Sequence, residues 1–410
     1  MPPPPIPVRE AHSLSAYSSF RLRDYRFLLA GAFFSNFGLQ MMSVAASWDL
    51  YTQTRSAMVL GNVGLVQVAP FIVLSLWAGH VADRLDRRLV MAVSQAACLA
   101  ACLALALSSH SVGWIYGCLL ITATARTFQG PSRGAILSQI VPPEAVRNAI
   151  TWNSSAQEIA NVSGPALAGV LLVFTSTRTV YWVQVACAVI TLISFASIRL
   201  RRTEAPSVAP GPRGFLEGLR FVRNDKLILS AVSLDLFGVL FGGATALLPI
   251  FAVDILHAGP AALGWLRAAP SIGAVLMAVS LAHYGKILRA GPTLIAVVIG
   301  FGLATIGFAF SRSLWLSLVM LMLTGVFDNV SVVLRHSLVQ VGTPDHLRGR
   351  VLAVNNIFIS CSNQLGAVES GWTAAWLGAV PSVWLGGVAT ILIAAACAVV
   401  SPQLRRWRQD

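Results

Sequence analysis

Eight ionisable side chains interrupt stretches that are otherwise apolar: Asp49, Arg126, Glu158, Asp235, Arg267, Asp328, Arg335 and Glu369. Charges in such surroundings are expensive and mark a functional task by default. A carboxylate shielded from water favours its protonated form, whereas a neighbouring guanidinium favours the ionised one. A carboxylate that moves toward and away from an arginine therefore takes up and releases a proton as the chain changes shape. Asp235, Asp328 and Glu158 are the candidates for that chemistry. The competing reading is a fixed ion pair that only orders neighbouring helices. Asp49, Arg267 and Glu369 read as gate or packing residues.

Other chemistry finds little support. The seven histidines (His12, His80, His110, His257, His283, His336 and His346) are scattered, with no convergent His and Asp set for an enzyme acting on lipid. The six cysteines lie within apolar runs at no zinc-like spacing and read as small buried hydrophobes. No phosphate-binding G-x-x-x-x-G-K loop is present, so ATP hydrolysis is not expected. The expectation is a chain that is not an enzyme and needs no cofactor or metal.

The elements that carry these residues follow from composition. Of 410 residues, 56% are hydrophobic and 11% charged, against about 25% charged in soluble domains. Mean hydropathy is +0.72. These values exclude an ordinary soluble enzyme, a disordered chain and a disulfide scaffold. A membrane-crossing helix needs about 20 mostly apolar residues. Twelve such runs occur, at 26–52, 58–82, 89–108, 112–137, 148–174, 180–198, 227–254, 261–284, 292–310, 314–341, 350–377 and 382–401. The fold class is therefore an all-α integral membrane protein. The N-terminal MPPPPIPVREAHS lacks the pattern of a signal peptide.

Charge placement orients the spans. The net charge of +13 could point to nucleic acid, but no soluble basic surface with an aromatic or helical reader accompanies it. With both termini on the cytoplasmic side, 23 of the 29 basic residues fall in cytoplasmic segments or at inner span ends. Arg55, Arg178 and Arg312 lie on the outer side, and Arg126, Arg267 and Arg335 lie within spans. This asymmetry supports an even number of spans. The longest polar interval, 199–225, is Pro-rich and then amphipathic around Phe215, Leu219 and Val222, which predicts a linker ending in a short interfacial helix. The organisation is a tail (1–25), a six-helix half (26–198), a linker (199–225), a second six-helix half (226–401) and a tail (402–410).

The halves repeat one another. At an offset of 201 residues, Gln139, Pro143, Glu144 and Arg147 match Gln340, Pro344, Asp345 and Arg348. Parallel six-span repeats about an axis along the membrane normal are the plan of one large transporter class.

The loop after the second run reads Gly79-His-Val-Ala-Asp83-Arg84-Leu-Asp86-Arg87-Arg88. It resembles the G-x-x-x-D-R-x-G-R-R signature of the major facilitator superfamily, with Asp86 in place of the second glycine. The resemblance implies a breakable latch made by Gly79, Asp83, Arg84, Arg87 and Arg88, with the Asp facing a helix N-terminus. The bland alternative is a plain basic cytoplasmic loop. Arg126-Thr-Phe-Gln-Gly130 resembles the R-x-x-x-G feature of that family, and Gly164-Pro165-Ala-Leu-Ala-Gly169 partly resembles its exporter motif. Simple helix packing explains Gly164, Pro165 and Gly169 equally well. The stretches 234–243, 266–270, 348–351 and 363–371 look like the branch holding the enterobactin exporter and related drug-efflux permeases. The resemblance covers residues 20–402.

What the resemblance implies is a fold of two pseudo-symmetric six-helix halves whose first, fourth, seventh and tenth spans line a central cavity. By that analogy Arg126, Asp235 and Asp328 face the cavity, with Asn36 and Gln40 from the first span. Aromatic residues nearby, Phe37, Phe237 and Phe241, with Phe33, Phe34 and Trp152, would suit an amphipathic substrate; taken singly, each also reads as lipid-facing bulk. The functional expectation is a secondary active transporter, a proton-coupled exporter of a bulky amphipathic molecule such as a drug or siderophore, working by alternating access. The alternatives are an importer or lipid transporter of the same fold, and a lipid-directed membrane enzyme. The expected partners are a small-molecule substrate, protons and membrane lipid, with no nucleic acid. The expected state is a monomer in a bacterial inner membrane.

Overall fold

Residues 17–108, 111–199, 212–285 and 287–408 are described by a computed structural model of the chain. A 3-10 turn, Ser18–Arg21, precedes six long helices: α1 (Arg23–Thr54), α2 (Ala57–Arg84), α3 (Arg87–Leu107), α4 (Val112–Ile140), α5 (Pro143–Phe174) and α6 (Thr177–Ala196). The second half begins with the amphipathic α7 (Pro212–Asn224) and continues with α8 (Lys226–Gly242), the short α9 (Leu248–Ile250), α10 (Gly259–Tyr284), α11 (Ala290–Phe310), α12 (Leu314–Gly342), α13 (Asp345–Leu377), α14 (Ala379–Val400) and α15 (Pro402–Arg406). No strand occurs among the described residues. The linker expected at 199–225 lies outside them for 200–211. Its remainder forms α7, whose Leu219, Phe221 and Val222 pack into the core of the second half. Glu217 of α7 is ion-paired with Arg350 of α13.

Eleven helical segments among the described residues are long and apolar enough to cross a membrane. The twelfth expected span is α4. It has 29 residues, about 44 Å at 1.5 Å per residue, and it packs on α2 and α3 inside the bundle. Arg126, Gln129 and Arg133 lower its apolarity. Several helices outrun the apolar stretches that announce them: α5 begins at Pro143 and α13 at Asp345, because a helix continues past the hydrocarbon while its apolar run does not.

The run expected as one helix over 227–254 is broken. After Gly242 the chain passes through a 3-10 turn (Thr245–Leu247), α9 and a π turn (Phe251–Ile255). Gly243 is extended, at φ −79° and ψ 95°, and Pro249 has no amide hydrogen to continue the ladder. Non-helical backbone at membrane depth must find other partners. Ser370 Oγ donates to the Gly243 carbonyl at 2.8 Å, and Thr305 Oγ1 reaches the Gly242 carbonyl at 3.5 Å.

Two helix pairs join the halves: α2 with α13, and α5 with α10. Each is the repeat-related image of the other. Their closest approaches need glycine. A methyl group added at Gly169 would lie 2.7 Å from Gly264 Cα and 2.8 Å from the Pro260 carbonyl oxygen. One added at Gly61 would lie 2.9 Å from Gly371 Cα. Both crossings are at the helix ends farthest from the arginine-rich loops. The halves therefore touch on one side and part on the other.

Candidate functional site

The parted side encloses the main cavity, of about 1160 Å³. It lies between the halves and runs from Arg267, Thr245 and Ala246 past Arg126 to Gly79 and His80 at the arginine-rich end of α2. Polar side chains recur along its wall at helical spacing: Asn36, Gln40, Ser43 and Ser47 on α1, and Ser360, Asn363 and Gln364 on α13. On α2 the stripe is Gly64, Gln67, Phe71, Ser75 and Gly79.

On the opposite side the cavity is shut. Asp254, in the π turn, accepts hydrogen bonds from Tyr51 Oη and from Arg55 Nη1 at 2.9 Å. Trp372 Nε1 donates to Asn62 Oδ1 at 2.9 Å. Deeper in, Arg267 Nη1 reaches Ser47 Oγ at 3.4 Å. All of these bonds join one half to the other. The Arg55–Asp254 pair is half exposed (58% and 43%), so its strength is small, about 0–1 kcal/mol. The closed side thus rests on backbone crossings and bonds that are easily exchanged.

Asn36, Gln40 and Arg126 line the cavity, as the resemblance implies. Arg126 Nη2 reaches Asn36 Oδ1 at 3.4 Å. Gln40 Nε2 donates to Asn161 Oδ1 at 2.8 Å, and the Asn161 side chain in turn hydrogen-bonds Glu158. Arg133, about two helical turns along α4 from Arg126, donates to Asn153 Oδ1 at 2.7 Å.

Asp235 and Asp328 are not among the described residues that line the main cavity, where the analogy expects them. They line a separate space of about 20 Å³ within the second half, between α8, α11 and α12, with room for about one water molecule. The reason is Arg335. Its Nη1 lies 2.6 Å from Asp235 Oδ2, and both side chains are almost fully buried. The ion pair turns Asp235 into the bundle. Asp328 shares the same space and feels the charge of Arg335, and Glu158 of α5 feels that of Asp328 across the gap between the halves. One carboxylate is thus paired with the guanidinium, a second lines the same small space, and a third feels the second from the other half.

The aromatic wall also needs correction. Phe37, Phe237 and Phe241 are absent from the cavity lining. Phe37 stacks on Phe33 with ring centroids 5.7 Å apart, Phe237 is exposed, and the Phe241 backbone lies against Gly386 of α14. Phe33 packs edge-on to Phe34, and Trp152 packs on Phe20 near the chain's entry into α1. Among the described lining residues the large aromatic is Phe71, which single-residue reasoning missed. Its place in the five-residue stripe on α2 was the available signal. Arg267, expected as a gate or packing residue, lines the cavity and makes one of the bonds across its closed side.

Asp49 accepts from Tyr181 Oη at 3.0 Å within the first half. Glu369 accepts from Thr373 Oγ1 at 2.9 Å within the second. Both serve packing. Among the latch residues, the Asp83 side chain lies outside the described residues. Arg88 Nη2 donates to the Ala196 carbonyl at 3.2 Å, and Arg84 is exposed. Gly79 has open space beside it, because the cavity mouth is parted here. Asp86 stands where the family pattern has glycine and caps α3, its carboxylate accepting from the Arg88 amide at 2.8 Å. Gly164 fits against Gln40 of α1, and Gly169 forms the crossing with α10. α5 runs unbroken through Pro165, so this motif acts here through close packing. All six cysteines are free, and no cluster of potential metal ligands occurs among the described residues.

Comparison with known proteins agrees with this architecture. A family profile described as "Transmembrane secretion effector" matches residues 14–410. The multidrug efflux pump Tap of Mycolicibacterium fortuitum is 26% identical over 393 residues, covering 92% of this chain and 95% of that protein. The enterobactin exporter EntS of Citrobacter koseri is 24% identical over 397 residues, covering 94% and 93%. Among solved structures, a bacterial homologue of the human lysosomal transporter Spinster, inward-facing and unoccupied, is similar with a TM-score of 0.77. Its identity is 15%, with 95% of this chain and 98% of that one covered. The nucleoside transporter NupG gives 0.69 at 13% identity, covering 93% and 98%. At these identities the structures speak for the fold alone.

Proposed function

The chain belongs to the transmembrane secretion effector family of the major facilitator superfamily, and from that premise we propose that it is a proton-driven exporter of a bulky amphipathic organic molecule. Its setting on this reading is a bacterial inner membrane, with both termini cytoplasmic and the chain acting as a monomer. The observation that carries the proposal is the cavity of about 1160 Å³, open toward the arginine-rich loops and shut at the far side by exchangeable cross-half bonds. The bias of arginine toward cytoplasmic loops makes the open side the cytoplasm. An exporter must collect its substrate from that side or the inner leaflet.

Alternating access then follows from the two helix crossings. Rocking the halves about the α2–α13 and α5–α10 pairs would separate Asp254 from Tyr51 and Arg55 and bring Gly79 and its loop onto the opposite half. The proton would be carried by the Asp235–Arg335–Asp328 cluster with Glu158. Within the second half, the two carboxylates and the one guanidinium leave one net negative charge, and a single proton neutralises that trio. Glu158 and Asp328 belong to different halves, so rocking changes the repulsion between them and hence the affinity for that proton. This supplies the coupling between protonation and shape. The relatives named for drug and enterobactin export support the direction and the size class of the substrate.

The test is uptake into everted membrane vesicles with an imposed gradient, acid inside, across a panel of dyes, macrolides and catecholate siderophores. Accumulation that collapses on adding a protonophore is expected. No accumulation of any panel member, with folded protein confirmed, or accumulation indifferent to the protonophore, would overturn the reading.

A further inference from the structure

We propose that the exported molecule is an organic anion, held between Arg126 and Arg267. The inference rests on the reading of the main cavity as the transport site. Two guanidinium groups line that cavity, one from α4 of the first half and one from α10 of the second. No aspartate or glutamate lies among the described lining residues, and neither arginine forms an ion pair among the described residues. Among the described residues each has one protein hydrogen bond, to Asn36 at 3.4 Å and to Ser47 at 3.4 Å. Charge-assisted bonds are shorter, about 2.7–2.9 Å, and a guanidinium has five donors to offer. Most of that capacity is therefore left for whatever occupies the cavity.

The electrostatics select the ligand. Two fixed positive charges inside low-dielectric walls focus a positive potential into the cavity. A cationic drug would be repelled, whereas a molecule with a carboxylate, phenolate, sulfonate or phosphate would be held in fork geometry. The remaining wall suits the body of such a molecule: Asn36, Gln40, Gln67 and Gln364 offer amides, and Phe71 offers an apolar face. The placement also links binding to opening. An anion that engages Arg267 competes with Ser47 for the same guanidinium, and the Arg267–Ser47 bond is one of those that tie the halves together on the closed side. Loading from the open side thus loosens the closed side.

The test compares two dyes with one xanthene core and opposite charge, carboxyfluorescein and rhodamine 6G, by fluorescence anisotropy on the purified full chain in lipid nanodiscs. No gradient is needed, so the result is independent of proton coupling and direction. The anionic dye is expected to bind and the cationic dye to bind at least tenfold more weakly. Arg126→Gln and Arg267→Gln should each weaken the anionic dye by about 10- to 100-fold, the loss of a charge-assisted bond. Arg126→Lys and Arg267→Lys keep the charge, guard against a folding defect, and should lose less. Equal binding of both dyes, tighter binding of rhodamine 6G, binding of neither, or undiminished anion binding in the folded double Gln variant would each overturn the proposal. Anion binding that persists in a protein failing the vesicle assay would leave this inference standing and remove the export reading alone.

Discussion

Replacing Arg335 should damage the protein far more than replacing its partner. Arg335 and Asp235 are 2% and 6% exposed and 2.6 Å apart, with Asp328 lining the same small space. Arg335→Gln leaves two buried carboxylates without their cation. Removing one partner of a buried pair costs about 3–5 kcal/mol, a large part of the roughly 5–15 kcal/mol that holds a folded domain together. Asp235→Asn is different, because Asp328 remains to balance Arg335. Its loss is one charge-assisted hydrogen bond partly replaced by an amide, about 1–2 kcal/mol. The double variant then carries one unbalanced carboxylate rather than two. It should be no less stable than Arg335→Gln alone, a non-additivity of about 1–3 kcal/mol. Denaturation of the purified chain in mixed micelles, followed by tryptophan fluorescence, measures all four corners of this cycle. Equal losses from the two single variants, or a double loss equal to their sum, would refute the reasoning that the three groups form one charge unit.

Asp328→Asn removes the surplus carboxylate, so protonophore-sensitive export should fall at least tenfold while dye binding in nanodiscs persists; retained export would clear Asp328 of proton carriage. Gly169→Leu cannot keep the crossing, since a first methyl already meets Gly264 Cα at 2.7 Å. That variant should part the closed side, seen as new labelling of a cysteine placed at Ser47 from the outer medium; no new labelling would contradict the role given to the crossing. Arg55→Ala removes a half-exposed pair and should change stability by less than about 1 kcal/mol in the same denaturation assay. A loss well beyond that would mean the closed side is locked rather than exchangeable.

The apolar runs made most of the helices legible, since crossing a membrane demands length and apolarity from consecutive residues. What they hid was local. Gly242, Gly243 and Pro249 signal a break, but an apolar average over 227–254 does not register where the backbone leaves the ladder. The polar wall was half visible: Asn36 and Gln40 came from the family resemblance, and Ser43 and Ser47 continue their face by helical spacing. Phe37 was misplaced because the residue after Asn36 points about 100° away around the helix. For Asp235 and Asp328, the direction of the side chain was not readable. Direction is set by Arg335, a hundred residues from Asp235 in the chain. Asp86 departs from the family pattern and is explained by its cap on α3, which its position before Arg87 and Arg88 could have indicated.

The central claim is that the halves rock in opposition, one side opening as the other shuts. Paired spin labels test it directly, at His80 and Ala353 across the open mouth and at Ser56 and Leu377 across the shut side, in a chain lacking Cys361 and Cys397. Distances would be measured in nanodiscs in alkaline and in acidic buffer. An exporter takes its protons from the outer side, so acid should populate the state open there. The account predicts that the first distance shortens while the second lengthens; both distances fixed, or both changing in the same direction, would contradict it.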